Sequence, residues 1–380
     1  MKLADRVRNV GESATMAVSN KARALQNDGV DVVDLSVGEP DFRTPANIRQ
    51  AGQEAIEAGH TTYTPARGIH PLRQAIVEKL AADGIQCSTD EIVVTPGAKH
   101  ALYVSVQTLV DDGGEVVLLD PAWVSYEPMA TLAGGTTTRV DLAPYEFRLE
   151  PALDDLAEVL SDSTRLLMVN SPNNPTGRVY SDAALRGVRD LAVDHDVAVI
   201  ADEIYQRVAY ERTPTSLASL DGMAERTVTI NGMSKAYSMT GWRLGYLAGP
   251  ARIVDDAAKV QSHSVSCATN FVQRAGIEAL ENSETAVEEM RSTFEERRDA
   301  LLERLATAGH TVSVPEGAFY LMLPVADDDQ AWCERALEEA HVATVPGSAF
   351  GAPGYARLSY AASRERVLEG VERLLSSDLL

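Results

Sequence analysis

The stretch VAVIADEIY at residues 197–205 sets five apolar residues in a row, closes them with a carboxylate at Asp202 and puts a tyrosine at Tyr205. No polar residue alternates with the apolar ones, so neither face of this segment is built to meet water. That is the pattern of a strand buried on both sides. Three further short runs bounded by turns are read with it: EVVLLD at 115–120, RLLMVN at 165–170 and TVTING at 227–232. Helical stretches separate them, and parallel strands need such crossovers, so the chain reads as α/β with a mostly parallel sheet between helices.

Outward from these runs, residues 14–27 read as a helix, with Ser13 as its cap and Ala14, Ala17, Val18, Ala22 and Leu25 on one side. VDVVDLSVG at 30–38 reads as a short strand ending in a GEPD turn. Helices are expected over 45–58 and 71–82, joined by the loop GHTTYTPARGIH that holds Tyr63, Arg67 and Gly68. EIVVTPGAKHALYVSVQTLV, 91–110, gives a strand, a glycine turn and a helix in succession. From residue 284 the pattern changes to a long charged helix, then GAFYLMLPV and a final helix. The expected division is a large unit over 45–283 and a smaller α+β unit over 284–380, onto which the segment 1–44 folds back.

Composition narrows the function classes. The chain has 380 residues, 45% of them apolar, and carries 56 Asp and Glu against 34 Lys and Arg, for a net charge of −22. Such a field repels nucleic acid and anionic membranes, and no basic patch offsets it. Only Lys2, Lys21, Lys79, Lys99, Lys235 and Lys259 are lysines. An acidic, lysine-poor chain suits molar salt, where ions screen carboxylate repulsion, although a GC-rich genome produces a similar bias. Cys87, Cys267 and Cys333 are far apart and form no metal-ligand spacing with histidine, so neither structural zinc nor disulfides are expected, and a cytoplasmic setting fits. The N-terminus has no apolar core of a signal peptide, and no apolar run is long enough to span a bilayer.

In an open parallel sheet, ligands bind beyond the carboxyl ends of the strands. There the chain carries Pro96-Gly97-Ala98-Lys99, Pro121-Ala122-Trp123, Asn173-Asn174-Pro175-Thr176-Gly177, Asp202-Glu203-Ile204-Tyr205 and Ser234-Lys235. A helix starting at Gly97, Ala98 and Lys99 offers free amides to a phosphate, yet such junctions also carry glycine for packing alone. There is no GxGxxG and no GxxxxGK[ST], so dinucleotides and nucleoside triphosphates are not indicated. Lys235, with Arg243 eight positions on, reads as a Schiff-base lysine beside a phosphate-binding arginine, or as an ordinary loop lysine. Asp202, ending a buried strand, needs a cationic partner, and a protonated pyridine nitrogen is one.

With these residues in view, the chain resembles the class I/II pyridoxal-phosphate aminotransferases of fold type I, and within them the bacterial and archaeal aspartate aminotransferase branch. SVGEPDF (36–42), YTPARGIHPLR (63–73), NSPNNPTG (170–177), DEIY (202–205), SKAYSMTGWRLGY (234–246), GAFY (317–320) and RLSYA (357–361) carry the resemblance in order along nearly the whole chain. It implies pyridoxal 5′-phosphate as cofactor, a ping-pong exchange of an amino group between an L-amino acid and a 2-keto acid, and a homodimer with shared active sites. Lys235 would hold the cofactor and shuttle the proton, Asp202 would pair with the pyridine nitrogen, and Asn174 and Tyr205, on a helix beginning at DEIY, would bond the phenolic oxygen. Trp123 would stack on the ring. The phosphate would lie among Gly97, Ala98, Lys99, Ser234 and Arg243, with Tyr63 reaching in from a second subunit.

For the substrate, the resemblance implies Arg357 on the α-carboxylate, helped by Asn174 and Gly38, with Trp123 alongside. Lys99 would reach a distal carboxylate and Ser13 would belong to a segment closing over the site. Aspartate or glutamate with 2-oxoglutarate is the first expectation, and prephenate or an aromatic amino acid the alternative. A carbon–sulfur lyase and a ligand-sensing regulator share the motifs, but a regulator would carry a basic DNA-binding segment in front. No metal site is expected.

Overall fold

The computed structural model describes residues 4–12, 14–325 and 328–380. Its centre is a seven-stranded sheet of β2 (Ile92–Thr95), β3 (Glu115–Asp120), β4 (Thr136–Asp141), β5 (Thr164–Asn170), β6 (Ala198–Asp202), β7 (Thr227–Gly232) and β8 (Gly245–Ala248); β1 (Val33–Asp34) lies outside it. The order across the sheet is β2-β8-β7-β6-β5-β3-β4. The neighbours from β7 through β4 pair in parallel, whereas β8 runs antiparallel to both β7 and β2. The four apolar runs of the sequence are β3, β5, β6 and β7, and they are buried almost throughout. TTTRVD of β4 alternates toward solvent, which suits the edge that it occupies.

Two expectations need correction. VDVVDLSVG contributes only Val33–Asp34 as strand, because its partner is the equally short β10 (Val342–Ala343), paired in parallel at Val33–Val342. DEIY does not open a helix. The amide of Glu203 extends the sheet by donating to the Ile230 carbonyl at 2.9 Å, and Asp202 Oδ1 accepts from the Ile204 amide at 3.2 Å, so the chain leaves β6 through successive turns.

The other helices follow the sequence: Ala14–Asn27, Ala46–Glu57, His70–Ala82, Ala98–Leu109 and the long Glu284–Thr307. The last packs on the final helix, Arg364–Ser376. A three-stranded antiparallel sheet places β12 (Tyr355–Ser359) between β9 (Tyr320–Pro324) and β11 (Val345–Pro346). Arg357 therefore sits on a central strand, 2% exposed. Ala22 and Val32 pack with Leu337 and Ala343, which ties the N-terminal segment to the C-terminal residues. No helix among the described residues is long and apolar enough to cross a membrane.

Candidate active site

The carboxyl ends of β2, β3, β5, β6 and β7 converge on one cavity of about 500 Å³. At its floor β6 ends in Asp202, which is 4% exposed. Burial pushes the carboxyl up to about 6, while the Tyr126 hydroxyl, donating to Oδ2 at 2.8 Å, and the Ile204 amide hold it down. Among the described residues Asp202 forms no ion pair, the charge of Lys235 acting on it only from a distance, and a buried carboxylate so weakly compensated is costly.

Lys235 follows β7 in a turn, and its ammonium donates to the Gly38 carbonyl. Burial depresses its pKa to about 8, with the nearby Glu39 carboxylate opposing the shift. A lysine so poised gives up its proton far more readily than an exposed one, which suits a nucleophile and proton carrier.

Gly97 precedes the helix Ala98–Leu109 with φ +85°, and a side chain there would overlap the Arg243 guanidinium. Gly245 lies equally close to the backbone of Ala98. The first amides of this helix, at Ala98 and Lys99, have no intrahelical acceptor, and among the described residues Arg243 bonds only carbonyls, those of Thr240 at 2.8 Å and Pro96 at 3.5 Å. With Ser234 also lining the cavity, this corner presents donors and positive charge, and the neighbouring Glu39 carboxylate is taken up by the Thr240 hydroxyl.

Arg357 lines the same cavity; its Nη1 donates to Asn174 Oδ1 at 3.0 Å and its Nη2 to the Ser36 carbonyl at 2.7 Å. Its guanidinium lies 4.5 Å from the Tyr320 ring and 5.0 Å from the Phe350 ring, and its Nε has no partner. A buried guanidinium held only by neutral acceptors is a receptor for a carboxylate. The Tyr205 hydroxyl meets that of Tyr320 at 2.8 Å. Lys99 Nζ stands 4.7 Å from the centre of the Trp123 ring, and burial followed by the neighbouring Arg243 lowers its pKa.

Of the residues singled out in the sequence, Gly38, Ala98, Lys99, Trp123 and Asn174 line this cavity together with Asp202, Tyr205, Ser234, Lys235, Arg243 and Arg357. Gly97 lies just behind the lining. Tyr63 is not brought in: it is 87% exposed. Arg67 is engaged by Asp255 and the Asp90 carbonyl of its own chain. Ser13 lies outside the described residues, although Thr15, Met16, Ser19 and Arg23 of the same segment do line the cavity. Sequence reasoning missed Tyr126, Tyr320, Ser36 and Asn170. The last donates to the Asp202 carbonyl and accepts from the Asn174 amide, both at 2.8 Å. It was readable as the polar end of RLLMVN. A second, apolar cavity of about 510 Å³ lies between Val18, Leu25, Cys333 and Leu337 and contains none of these groups.

The pattern for aminotransferase class I and II matches residues 30–374. The chain belongs to this family. Aminotransferases exchange an amino group between amino acids and 2-keto acids with pyridoxal phosphate, and the site fits that cofactor: an unpaired buried carboxylate for a pyridinium, a depressed lysine for the aldehyde, and a glycine-lined cradle of amides with an arginine for the phosphate. The aspartate aminotransferase of Thermotoga maritima is 41% identical over 370 residues, covering 97% of each chain. The aspartate/prephenate aminotransferase of Thermus thermophilus is 42% identical over 378 residues, 98% of this chain and 97% of that one. A structure of the Thermus thermophilus aspartate aminotransferase with maleate superposes with a TM-score of 0.96 at 40% identity, covering 100% of both chains.

Proposed function

We propose that this aminotransferase acts on acidic substrates, taking the amino group of L-aspartate or L-glutamate and delivering it to 2-oxoglutarate or oxaloacetate. The observation that carries the reading is the pair of cations in one cavity, Arg357 and Lys99, neither paired with a carboxylate among the described residues. Two carboxylates on one substrate would satisfy both. Maleate, present in the Thermus thermophilus structure, is itself a dicarboxylate. Prephenate is the second reading, favoured by the name of one relative, and it too carries two carboxylates.

Bound pyridoxal phosphate supplies an electron sink for the bond broken at the substrate's α-carbon. The chain supplies the rest. Asp202, ionised and held by Tyr126, would keep a positive charge on the pyridine nitrogen. Asn174 and Tyr205 would hold the phenolic oxygen, and Trp123 would lie beside the ring. The amides of Ala98 and Lys99, the Ser234 hydroxyl and Arg243 would bind the phosphate, with Gly97 leaving room for it. Arg357 grips the α-carboxylate as a fork, beside Gly38 and Asn174, and so aims the α-proton at Lys235. Lys235, mostly neutral above about pH 8, would take that proton on Nζ and carry it away from the α-carbon.

The same reading includes a homodimer, since Tyr63 stands out from its own chain and would reach a partner's phosphate. It includes a cytoplasmic, high-salt setting, supported by three free cysteines and the charge of −22. It keeps the division at 44/45 and 283/284, supported by the pairing of β1 with β10.

Two variants test it. Lys235→Ala should abolish transamination while leaving the fold intact, and retained turnover would refute the role of Lys235. Lys99→Met should lower kcat/KM for aspartate by about tenfold or more while sparing phenylalanine. Equal losses for both substrates would refute the acidic-substrate reading.

A further inference from the structure

The helix Ala14–Asn27 divides its faces between two cavities. Thr15, Met16, Ser19 and Arg23 line the active-site cavity, and Ala14, Ala17, Val18, Lys21, Ala24 and Leu25 line the apolar one. At 3.6 residues per turn, Met16, Ser19 and Arg23 fall within an arc of about 60°, with Lys21 turned about 140° from Met16. The two basic residues consequently meet different surroundings. Lys21 pairs with Glu334 at 3.4 Å, whereas Arg23 has no ion pair or hydrogen bond among the described residues.

The charge balance of the cavity makes Arg23 notable. Arg23, Lys99, Lys235, Arg243 and Arg357 line it against only Glu39 and Asp202, in a chain whose net charge is −22. Glu39 is already engaged by the Thr240 hydroxyl. An anion approaching this acidic molecule is repelled nearly everywhere, so a cationic mouth both guides it and discriminates between one carboxylate and two. Lys235, Arg243 and Arg357 have tasks in the reaction and Lys99 lies against Trp123. Arg23 remains, exposed, at the rim.

We propose that Arg23 is a specificity-determining residue: its guanidinium takes the distal carboxylate of dicarboxylic substrates at the mouth of the cavity, opposite the carboxylate held by Arg357 and together with Lys99. The assignment rests on the acidic-substrate reading above. An arginine suits the task because its planar fork matches both oxygens of a carboxylate, and a rim position lets it act before the substrate is fully enclosed.

The test is half-reaction kinetics of the pyridoxal-phosphate enzyme and its Arg23→Gln variant, with L-aspartate and L-glutamate against L-alanine and L-phenylalanine. Arg23→Gln should lower kcat/KM for the acidic pair about three- to tenfold, through KM, and leave the other pair within about twofold. Calorimetry should give a parallel weakening for succinate and none for propionate, a readout independent of turnover. Arg23→Lys keeps the charge without the fork; it should recover part of the loss, and it carries the comparison if Arg23→Gln shifts the unfolding midpoint. A wild type that prefers aspartate, with a variant that keeps the same preference and the same succinate affinity, overturns the role of Arg23 alone. A wild type that prefers phenylalanine overturns the acidic-substrate reading and this inference with it.

Discussion

Tyr126 sets how readily Asp202 loses its proton. Its hydroxyl bonds the ionised carboxylate, so Tyr126→Phe removes a donor to the charged form and raises the pKa of Asp202 further. The acid limb of the pH–rate profile should move upward by about one unit, and an unmoved limb would show that this bond does not tune the site. Glu203, next in sequence, is buried, which pushes its carboxyl up to about 7 against a hydrogen bond from Ser216 at 2.6 Å. The folded state therefore holds a proton there between about pH 4.5 and 7 that the unfolded chain has lost. The stability it contributes is complete below that window and gone above it. Glu203→Gln should raise stability at pH 8 by about 2 kcal/mol in urea titrations and flatten the slope across the window. At this scale Lys235, Asp202 and Arg357 were legible, because each lies in a short motif at or beside a strand. Tyr126 and Tyr320 were not, because their hydroxyls acquire meaning only when distant segments bring Asp202 and Tyr205 to them.

Between elements, the segment 38–44 is sewn to the turn that carries Lys235. The Ser238 hydroxyl donates to the Phe42 carbonyl, Thr44 donates to the Ser238 carbonyl at 2.5 Å, and Trp242 Nε1 reaches the Thr44 hydroxyl at 3.1 Å. Arg297 of the long helix clamps the same segment, bonding both oxygens of Asp41 at 2.8 and 2.9 Å while lying over Phe42 and Phe294. Asp41→Ala strands a nearly buried guanidinium and should cost about 2 kcal/mol, more than Arg297→Met, which still covers the two rings. Equal costs in denaturant titrations would mean that the charge pairing is incidental. Helix limits came straight from apolar periodicity, as in Ala46–Glu57 and His70–Ala82. The course of DEIY was hidden because a tertiary bond from Glu203 to Ile230 outweighs local preference, and β8 was not read as a strand because its four residues, GYLA, make too short an apolar run after the Lys235 turn.

For the molecule as a whole, excess carboxylate is the dominant long-range term. If the chain is adapted to salt, its unfolding midpoint should rise by several degrees between about 0.1 M and about 2 M KCl as repulsion is screened. A flat or falling midpoint would reduce the composition to genomic bias. The position of β8 bears on how such a chain is made. β2 has no neighbour in the sheet except β8, and Val94 pairs with Tyr246, about 150 residues further on. A ribosome adding about 5–20 residues per second leaves that strand without its partner for roughly 8–30 s. Since Gly245 of β8 also abuts Ala98, the phosphate cradle cannot assemble earlier. Nascent chains halted before residue 245 would be unable to capture the cofactor, and until then they would offer two unpaired strand edges to chaperones.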